Sequence, residues 1–358
     1  MRVLLTHLFC WPEVRRGGER YLHELAASLQ RRGHEVTVLS TAARAGHDEV
    51  LGVDVRHRRR RRFPPKSSDP LAEEKGFGVQ ALAFAARHRP DVWHALGTAD
   101  ACAATVLGGV RGRLATAFTD LGIPDRRYRE GRTDLRAHAR VVRDVGAYLC
   151  LSQAARDALV RDFGRVGTVA PGGVDVAAFP VTDAREDRPT ILYSGTLDDP
   201  RKGVAGLLET AVRLRAQLPD LQVWLSGPGD ADALVASVPG AESVVSSAGL
   251  DDREALARRY RRAWVTALPS SHEAFGLALV ESLASGTPVL ARAGSGSADI
   301  VTPTTGVLVG ATEWDEQLRQ ALELARDVTT IDACRSRALD FDWDTRVTPG
   351  IEAAYTHA

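Results

Sequence analysis

Three segments of this sequence carry residue types suited to a phosphorylated ligand. The first is Ser270-Ser-His-Glu-Ala-Phe-Gly-Leu-Ala-Leu-Val-Glu281, followed by Ser-Leu-Ala-Ser-Gly-Thr-Pro288. It reads as a strand end running into a helix. The backbone N–H groups of Phe275, Gly276 and Leu277 would then lack intrahelical partners and be natural donors to a diphosphate. Gly276 has no side chain to block a close approach. Glu273 precedes the helix and Glu281 lies about two turns inside it, so the two carboxylates meet different parts of a ligand. An isolated E-x7-E is common as solvated helix-face charge; the Phe-Gly between these glutamates and the Gly-Thr-Pro behind them narrow the pattern.

The second segment, Tyr193-Ser-Gly195-Thr-Leu-Asp-Asp-Pro-Arg201-Lys202-Gly203, also joins a strand to a helix. Arg201 and Lys202 at its end would meet a phosphate electrostatically, Lys202 as a point charge. A surface turn with two solvated cations is the alternative. Lysine occurs only at Lys66, Lys75 and Lys202 among 46 basic residues, which favours a function for Lys202. The third segment, Val14-Arg-Arg-Gly17-Gly18-Glu19-Arg20, is a glycine loop after the first strand. It lacks G-x-G-x-x-G, so it reads as a loop facing a ligand crevice rather than a dinucleotide site. No His/Asp/Glu cluster or D-x-D falls in these loops. Asp198-Asp199 precedes a proline and reads as a turn, so no metal site is expected.

The elements that must position these loops follow from apolar runs and their punctuation. Val3-Leu-Leu-Thr6 reads as a buried parallel strand, with a helix from about Glu19 to Arg32, a cap at Gly33 and a strand Glu35–Ser40. A helix near Val79–His88 precedes the strand Asp91–His94; strands Leu114–Phe118 and Ala147–Ser152 follow. The rhythm breaks at Pro171-Gly-Gly-Val-Asp175 and the polar stretch 182–189. A second series then begins with the strand Thr190–Ser194. Its further strands fall at Leu221–Ser226, Trp264–Pro269, Pro288–Ala291 and Val307–Val309. Two successive α/β units predict two doubly wound domains of parallel strands, with ligands at the strand carboxyl ends.

The 358 residues suit two domains, and 44% hydrophobic with 26% charged residues is the balance of a folded globular chain. The formal net charge is zero, which argues against a nucleic-acid binder. Cys10, Cys102, Cys150 and Cys334 are widely spaced, form no C-x-x-C pair and fit a reducing, cytoplasmic setting. No apolar run is long enough to span a bilayer. The run Arg56-His-Arg-Arg-Arg-Arg-Arg62 reads as a solvated loop, because no amphipathic apolar face accompanies it. Contact with an anionic membrane surface or an anionic acceptor stays open. A second basic stretch covers Arg126, Arg127, Arg129, Arg132 and Arg136.

Together the three segments, in this order and spacing, resemble a family-4 retaining glycosyltransferase of the GT-B fold. Asp199-Pro-Arg-Lys-Gly203 is similar to the phosphatidylinositol mannosyltransferase branch. The likeness covers nearly the whole chain, through Arg32-Gly-His-Glu-Val36, Asp91-Val-Trp-His94, Leu151-Ser-Gln-Ala-Ala155 and Gly173-Val-Asp175. It implies an α/β architecture with two doubly wound Rossmann-like domains facing an interdomain crevice. Residues 1–175 would form the acceptor-binding domain and 186–343 the nucleotide-sugar domain, with a terminal helix near 344–358 packing back on the first. The resemblance further implies that Lys202 contacts the donor diphosphate, Glu281 holds the ribose and Glu273 sits against the donor sugar. Gly17 and Gly18 would close over the phosphates. The implied reaction is a front-face displacement with retention and no bound metal, in which cations and helix N–H groups stabilise the departing diphosphate.

This chain departs from the family pattern at three places. Gly195-Thr196 stands where Gly-Arg is frequent, His94-Ala-Leu96 where His-x-His is frequent, and Thr119-Asp120 where His-Asp is frequent. His94 and Asp120 are the candidate contacts on the acceptor side, with a hydrogen-bonded structural role as the alternative for His94. The expected partners are a UDP-, GDP- or dTDP-sugar and a small-molecule, glycan or lipid-linked acceptor, with no cofactor beyond the donor. Two other readings share the donor pocket: a nucleotide-sugar 2-epimerase and a catalytically weakened sugar-nucleotide-binding subunit.

Overall fold

A computed structural model describes the chain except residues 12, 15, 51, 132, 182–184 and 313 and the side chain of Tyr128. The chain divides into two compact units. Unit 1 comprises Met1–Gly173 and Trp343–Ala358; unit 2 comprises Val174–Asp342.

The sheet of unit 1 contains β1 (Arg2–Thr6), β2 (Glu35–Ala42), β3 (Gly46–Val50), β4 (Val53–Arg59), β5 (Val92–Ala95), β6 (Ala115–Asp120), β7 (Ala147–Cys150) and β8 (Thr168–Val169). Their order is β3-β4-β2-β1-β5-β6-β7-β8. Every pairing is parallel except β3 on β4, which closes the edge antiparallel. The central strands are buried apolar runs because helices cover both faces. On one face of the sheet Trp93, Phe77, Phe84 and Leu107 form one apolar cluster, and Phe118, Tyr148, Val141 and Leu159 form its neighbour.

Unit 2 contains β9 (Thr190–Ser194), β10 (Gln222–Ser226), β11 (Val245–Gly249), β12 (Val265–Leu268), β13 (Val289–Arg292) and β14 (Gly306–Val309). The order β11-β10-β9-β12-β13-β14 is parallel throughout and is the doubly wound arrangement, reversing between β9 and β12. Unit 1 reverses in the same way between β1 and β5. Each reversal leaves a crevice at the strand carboxyl ends, where the two connecting loops diverge.

Several sequence expectations are corrected here. The second unit begins at Val174 rather than 186. The Val174 N–H bonds the Phe341 carbonyl, and Arg335 donates to the carbonyls of Val176, Phe179 and Ala284. The arginine run is not all loop. Val53, Val55 and His57 alternate inward along β4 while Arg56, Arg58 and Arg59 face solvent. Gly17 and Gly18 are not in a loop but open the helix Gly17–Arg31, where a Cβ on Gly18 would come within 2.9 Å of Leu121.

The terminal segment joins unit 1 by specific contacts. Trp343 donates from Nε1 to Glu24 at 2.9 Å, and Asp344 pairs with Arg31 at 2.7 Å. In the helix Thr348–Thr356, Glu352 pairs with Arg32 at 2.7 Å and His34 at 2.8 Å.

Candidate functional site

In unit 2 the loops after β9 and β12 hold the donor-site candidates. The loop after β9 ends in a single 3-10 turn, Pro200–Lys202. Asp199 caps it, accepting the Arg201 N–H at 3.0 Å, and Gly203 leaves it in the left-handed region at φ 68°. A Cβ on Gly203 would stand 2.9 Å from the Pro269 carbonyl oxygen, so glycine lets the two loops touch. Ser271 completes the junction, its N–H bonding the Arg201 carbonyl at 2.8 Å.

This junction brings Lys202 and Glu273 together. The Lys202 ammonium donates to Glu273 Oε2 at 2.7 Å, with side chains 22% and 17% exposed, so the pair is largely enclosed but reachable. Arg201 is placed differently from expectation. Its guanidinium folds back on Asp199, an ion pair within its own turn, so part of its charge is already matched. Lys202 is therefore the principal cation of this junction.

The helix Leu277–Ala284 begins after Gly276, which sits at φ 109°. Only glycine adopts that conformation at low cost, and a Cβ would also crowd Leu268 at 3.1 Å. The Leu277 N–H lies in the first helical turn, where no carbonyl one turn back can accept it. Phe275 contributes only backbone here: its ring is buried edge-on to Phe341, 5.5 Å between centroids. Glu281 is buried and accepts the Tyr260 hydroxyl at 3.0 Å. The Glu273 carbonyl accepts Gly296 N–H at 2.7 Å, tying the mouth of the site to the loop after β13.

Unit 1 carries a cavity of about 400 Å³ at its own point of strand reversal. Its wall comes from the loops after β1, β5 and β6 and the start of the helix Gly17–Arg31, and includes His7, Gly18, Glu19, Gly97, Asp120 and Arg129. Asp120 lies on this wall but is already satisfied. It accepts both Arg129 and the Tyr148 hydroxyl at 2.5 Å and the Gly122 N–H at 3.1 Å. Burial alone would raise its pKa, yet the Arg129 guanidinium and these donors hold it below the ordinary value. Asp120 is thus a positioning residue for Arg129 rather than a free acid or base.

His94 is not on the wall. It is fully buried, with Nδ1 2.7 Å from the Tyr355 hydroxyl and Nε2 2.7 Å from the Thr119 hydroxyl. Burial pushes its pKa down to about 3, so it stays neutral and fastens the terminal helix to β6. The proposed catalytic contact at His94 is corrected accordingly: both ring nitrogens are engaged.

Sequence reasoning passed over two wall residues, Glu19 and Asp100. Asp100 accepts the Thr6 hydroxyl at 2.5 Å, and burial pushes its pKa up to about 7. Glu19 is 3% exposed, and its Oε2 has no hydrogen-bond partner among the described residues. Its signal was its place directly after Gly17-Gly18, at the third helical position. Among the described residues no group of three or more His, Cys, Asp or Glu side chains could hold a metal ion, and no helix is long and apolar enough to cross a membrane.

Comparison with known proteins agrees with this architecture. Residues 15–178 match the family described as Glycosyltransferase Family 4, and residues 177–338 match Glycosyl transferases group 1. A D-inositol 3-phosphate glycosyltransferase of Geodermatophilus obscurus is 30% identical over 390 residues, covering 94% of this chain and 84% of that protein. A phosphatidyl-myo-inositol mannosyltransferase of Propionibacterium freudenreichii is 30% identical over 231 residues, 61% of this chain. That match spans only 58% of the relative's own length. Among solved structures, sucrose-phosphate synthase from Thermosynechococcus elongatus superposes with a TM-score of 0.79 at 23% identity, over 99% of this chain and 98% of that one. Anabaena HepE, solved with UDP, superposes at 0.77 with 17% identity over the whole of both chains. These structures share the fold, two Rossmann-like parallel-sheet domains of the GT-B type. With the inositol phosphate glycosyltransferase matched over 94% of this chain, the chain belongs to glycosyltransferase family 4.

Proposed function

We propose that this protein transfers a sugar from a nucleoside-diphosphate sugar to an acceptor hydroxyl, with retention at the anomeric carbon and without a bound metal. The observation that carries the reading is the Lys202–Glu273 pair at the β9/β12 reversal, beside the N-terminus of Leu277–Ala284. The diphosphate takes Lys202 and the helix N–H groups as donors. These groups favour the charge that grows on the diphosphate as the sugar leaves, which is where stabilisation speeds the reaction. Glu273, released from Lys202, is left beside the cation-like sugar. Glu281, fixed by Tyr260, is placed to hold the ribose. Retention rests on the resemblance to family 4. Independence from metal rests on Lys202 and the helix terminus meeting the diphosphate charge.

The acceptor occupies the cavity of unit 1. Both curated relatives are named for inositol-containing acceptors, so a polyhydroxylated ring is the class to test. The four cysteines are free and three are buried, which suits a reducing cytoplasm.

The test is a thermal-shift panel of UDP, GDP, dTDP and ADP, followed by turnover of the matching nucleotide sugar with and without EDTA. A ligand bound only by the native state raises its melting temperature. The expected result is one preferred nucleotide, an axial-to-axial product by NMR and activity that survives EDTA. Loss of transfer in EDTA, restored by magnesium or manganese, would assign the phosphate charge to a metal. Conversion of the sugar with no acceptor present would mark an epimerase.

A further inference from the structure

The unit 1 cavity has an unusual charge balance for a family whose named relatives act on phosphorylated inositols. Its wall carries four carboxylates, Glu19, Glu74, Asp100 and Asp120, against two guanidiniums, Arg16 and Arg129. Asp120 and Arg129 neutralise each other within hydrogen-bond distance. Asp100 is bonded to Thr6 and held partly protonated near neutral pH by burial. Arg16 is exposed, so water and salt screen it. Among the described wall residues, Glu19 and Glu74 remain as the carboxylates so far unmatched.

Glu19 is the informative group. A glutamate at the third helical position ordinarily reaches back to the N-cap N–H. Here Oε2 is buried without a partner among the described residues, although the side chain is 97% removed from solvent by its 3% exposure. An unpartnered buried carboxylate oxygen is destabilising. Such a group persists where it serves a ligand, and it lies on the wall of a cavity about 400 Å³ in volume, within the range of small-molecule sites. Glu74 stands on the same wall, half-buried, its pKa raised by burial and then by Asp69. Among the described residues of the wall, no free buried cation would offset these two carboxylates against a phosphate. An ammonium would satisfy both.

Resting on the transferase reading above, we propose that this cavity takes a polyhydroxylated acceptor bearing a protonated amine, with Glu19 as the carboxylate that receives it and Glu74 as its electrostatic support. The ring hydroxyls supply the nucleophile; the amine fixes which hydroxyl is presented.

The test uses matched probes on one ring: scyllo-inosamine, myo-inositol and myo-inositol 1-phosphate, with glucosamine, glucose and glucose 6-phosphate as a second set. Binding to the full chain is read by saturation-transfer NMR and calorimetry. The expected order is amine, then neutral ring, then phosphate, with the amine about tenfold or more tighter than its hydroxyl counterpart. Glu19→Gln should bring that ratio close to one while the neutral ring binds as before. Glu74→Gln, on a half-buried position, should reduce it severalfold. Tighter binding of either phosphate, equal binding of amine and hydroxyl, no binding by any probe, or an amine preference untouched by both substitutions each overturns the proposal. Nucleoside-diphosphate titration of the same samples separates the two claims. If no nucleotide binds but the Glu19-dependent amine preference persists, the transferase reading fails and the amine site stands.

Discussion

In the proposed function Lys202 exchanges its bond to Glu273 for the donor diphosphate. Its bond to Glu273 is largely enclosed, but both side chains keep contact with water, so the pair contributes modestly to folding, about 1 kcal/mol. A charge-assisted bond to a diphosphate contributes more, about 1.5–3 kcal/mol. Lys202→Ala should therefore lower nucleoside-diphosphate affinity roughly ten- to hundredfold, with a melting temperature near wild type. Calorimetry on the folded variant decides it; unchanged affinity moves the phosphate site elsewhere. Glu273 and Glu281 separate on the same logic. Glu273→Gln should lower kcat with little change in nucleotide affinity. Glu281→Ala should weaken nucleotide binding and, by removing the buried bond from the Tyr260 hydroxyl, also cost about 1–3 kcal/mol of stability. Tyr260→Phe removes the same bond while keeping the carboxylate, so nucleotide binding lost by Glu281→Ala but kept by Tyr260→Phe assigns Glu281 to the ligand. Equal small losses from Glu273→Gln and Glu281→Ala would sink the division of roles.

At the scale of elements, the candidate donor site is a junction of two loops that only glycines let close. Gly203 lies against the Pro269 carbonyl, and Gly276 turns the chain at φ 109° to aim the first N–H groups of Leu277–Ala284. Gly276→Ala adds both backbone strain and a contact at 3.1 Å to Leu268. It should destabilise unit 2 by about 1–3 kcal/mol and weaken nucleotide binding about tenfold beyond the fraction unfolded. Denaturant titration with and without saturating nucleotide measures both effects. A variant as stable as wild type and binding as tightly would mean that the helix terminus does not need this turn.

For the whole molecule, buried histidines tie stability to pH. Burial lowers His94 to about 3, and His23 and His138 to about 4. In the unfolded chain each takes up a proton near pH 6.5, whereas the fold keeps it neutral. Their contribution is therefore complete above about pH 6.5 and is lost as pH falls toward 4. Asp100 runs the other way. With its pKa raised to about 7, it weakens the fold as pH rises from about 4 to 7 and relents as pH falls. Three histidines outweigh one aspartate, so the unfolding midpoint should drop by several degrees between pH 7 and 5. His23 has no hydrogen-bond partner on either ring nitrogen among the described residues. His23→Leu should flatten that drop and add roughly 1 kcal/mol at pH 7. An unchanged midpoint across the interval would show that these rings titrate normally in the fold.

The extent to which the sequence alone determined this protein differs between its elements and its contacts. Apolar runs such as Val3-Leu-Leu and Val289-Leu-Ala, punctuated by glycine and proline, were enough for the alternation of strand and helix, since burial on both faces of a parallel sheet demands such runs. The places of Lys202, Glu273, Gly276 and Glu281 were legible too, because spacing along the chain sets residues near a strand end or helix start without reference to anything distant. The edge strand β3 was not legible, because Gly46-His-Asp-Glu-Val50 is polar and exposed and gains its strand form only by pairing with β4. Nor could spacing foretell who meets whom across long separations. Tyr355 reaches His94, Lys202 reaches Glu273, and Oε2 of Glu19 is buried with no partner among the described residues. Each outcome depends on which side chains the tertiary fold brings within 3 Å and which it deprives of water, and the local pattern of residues holds no record of either.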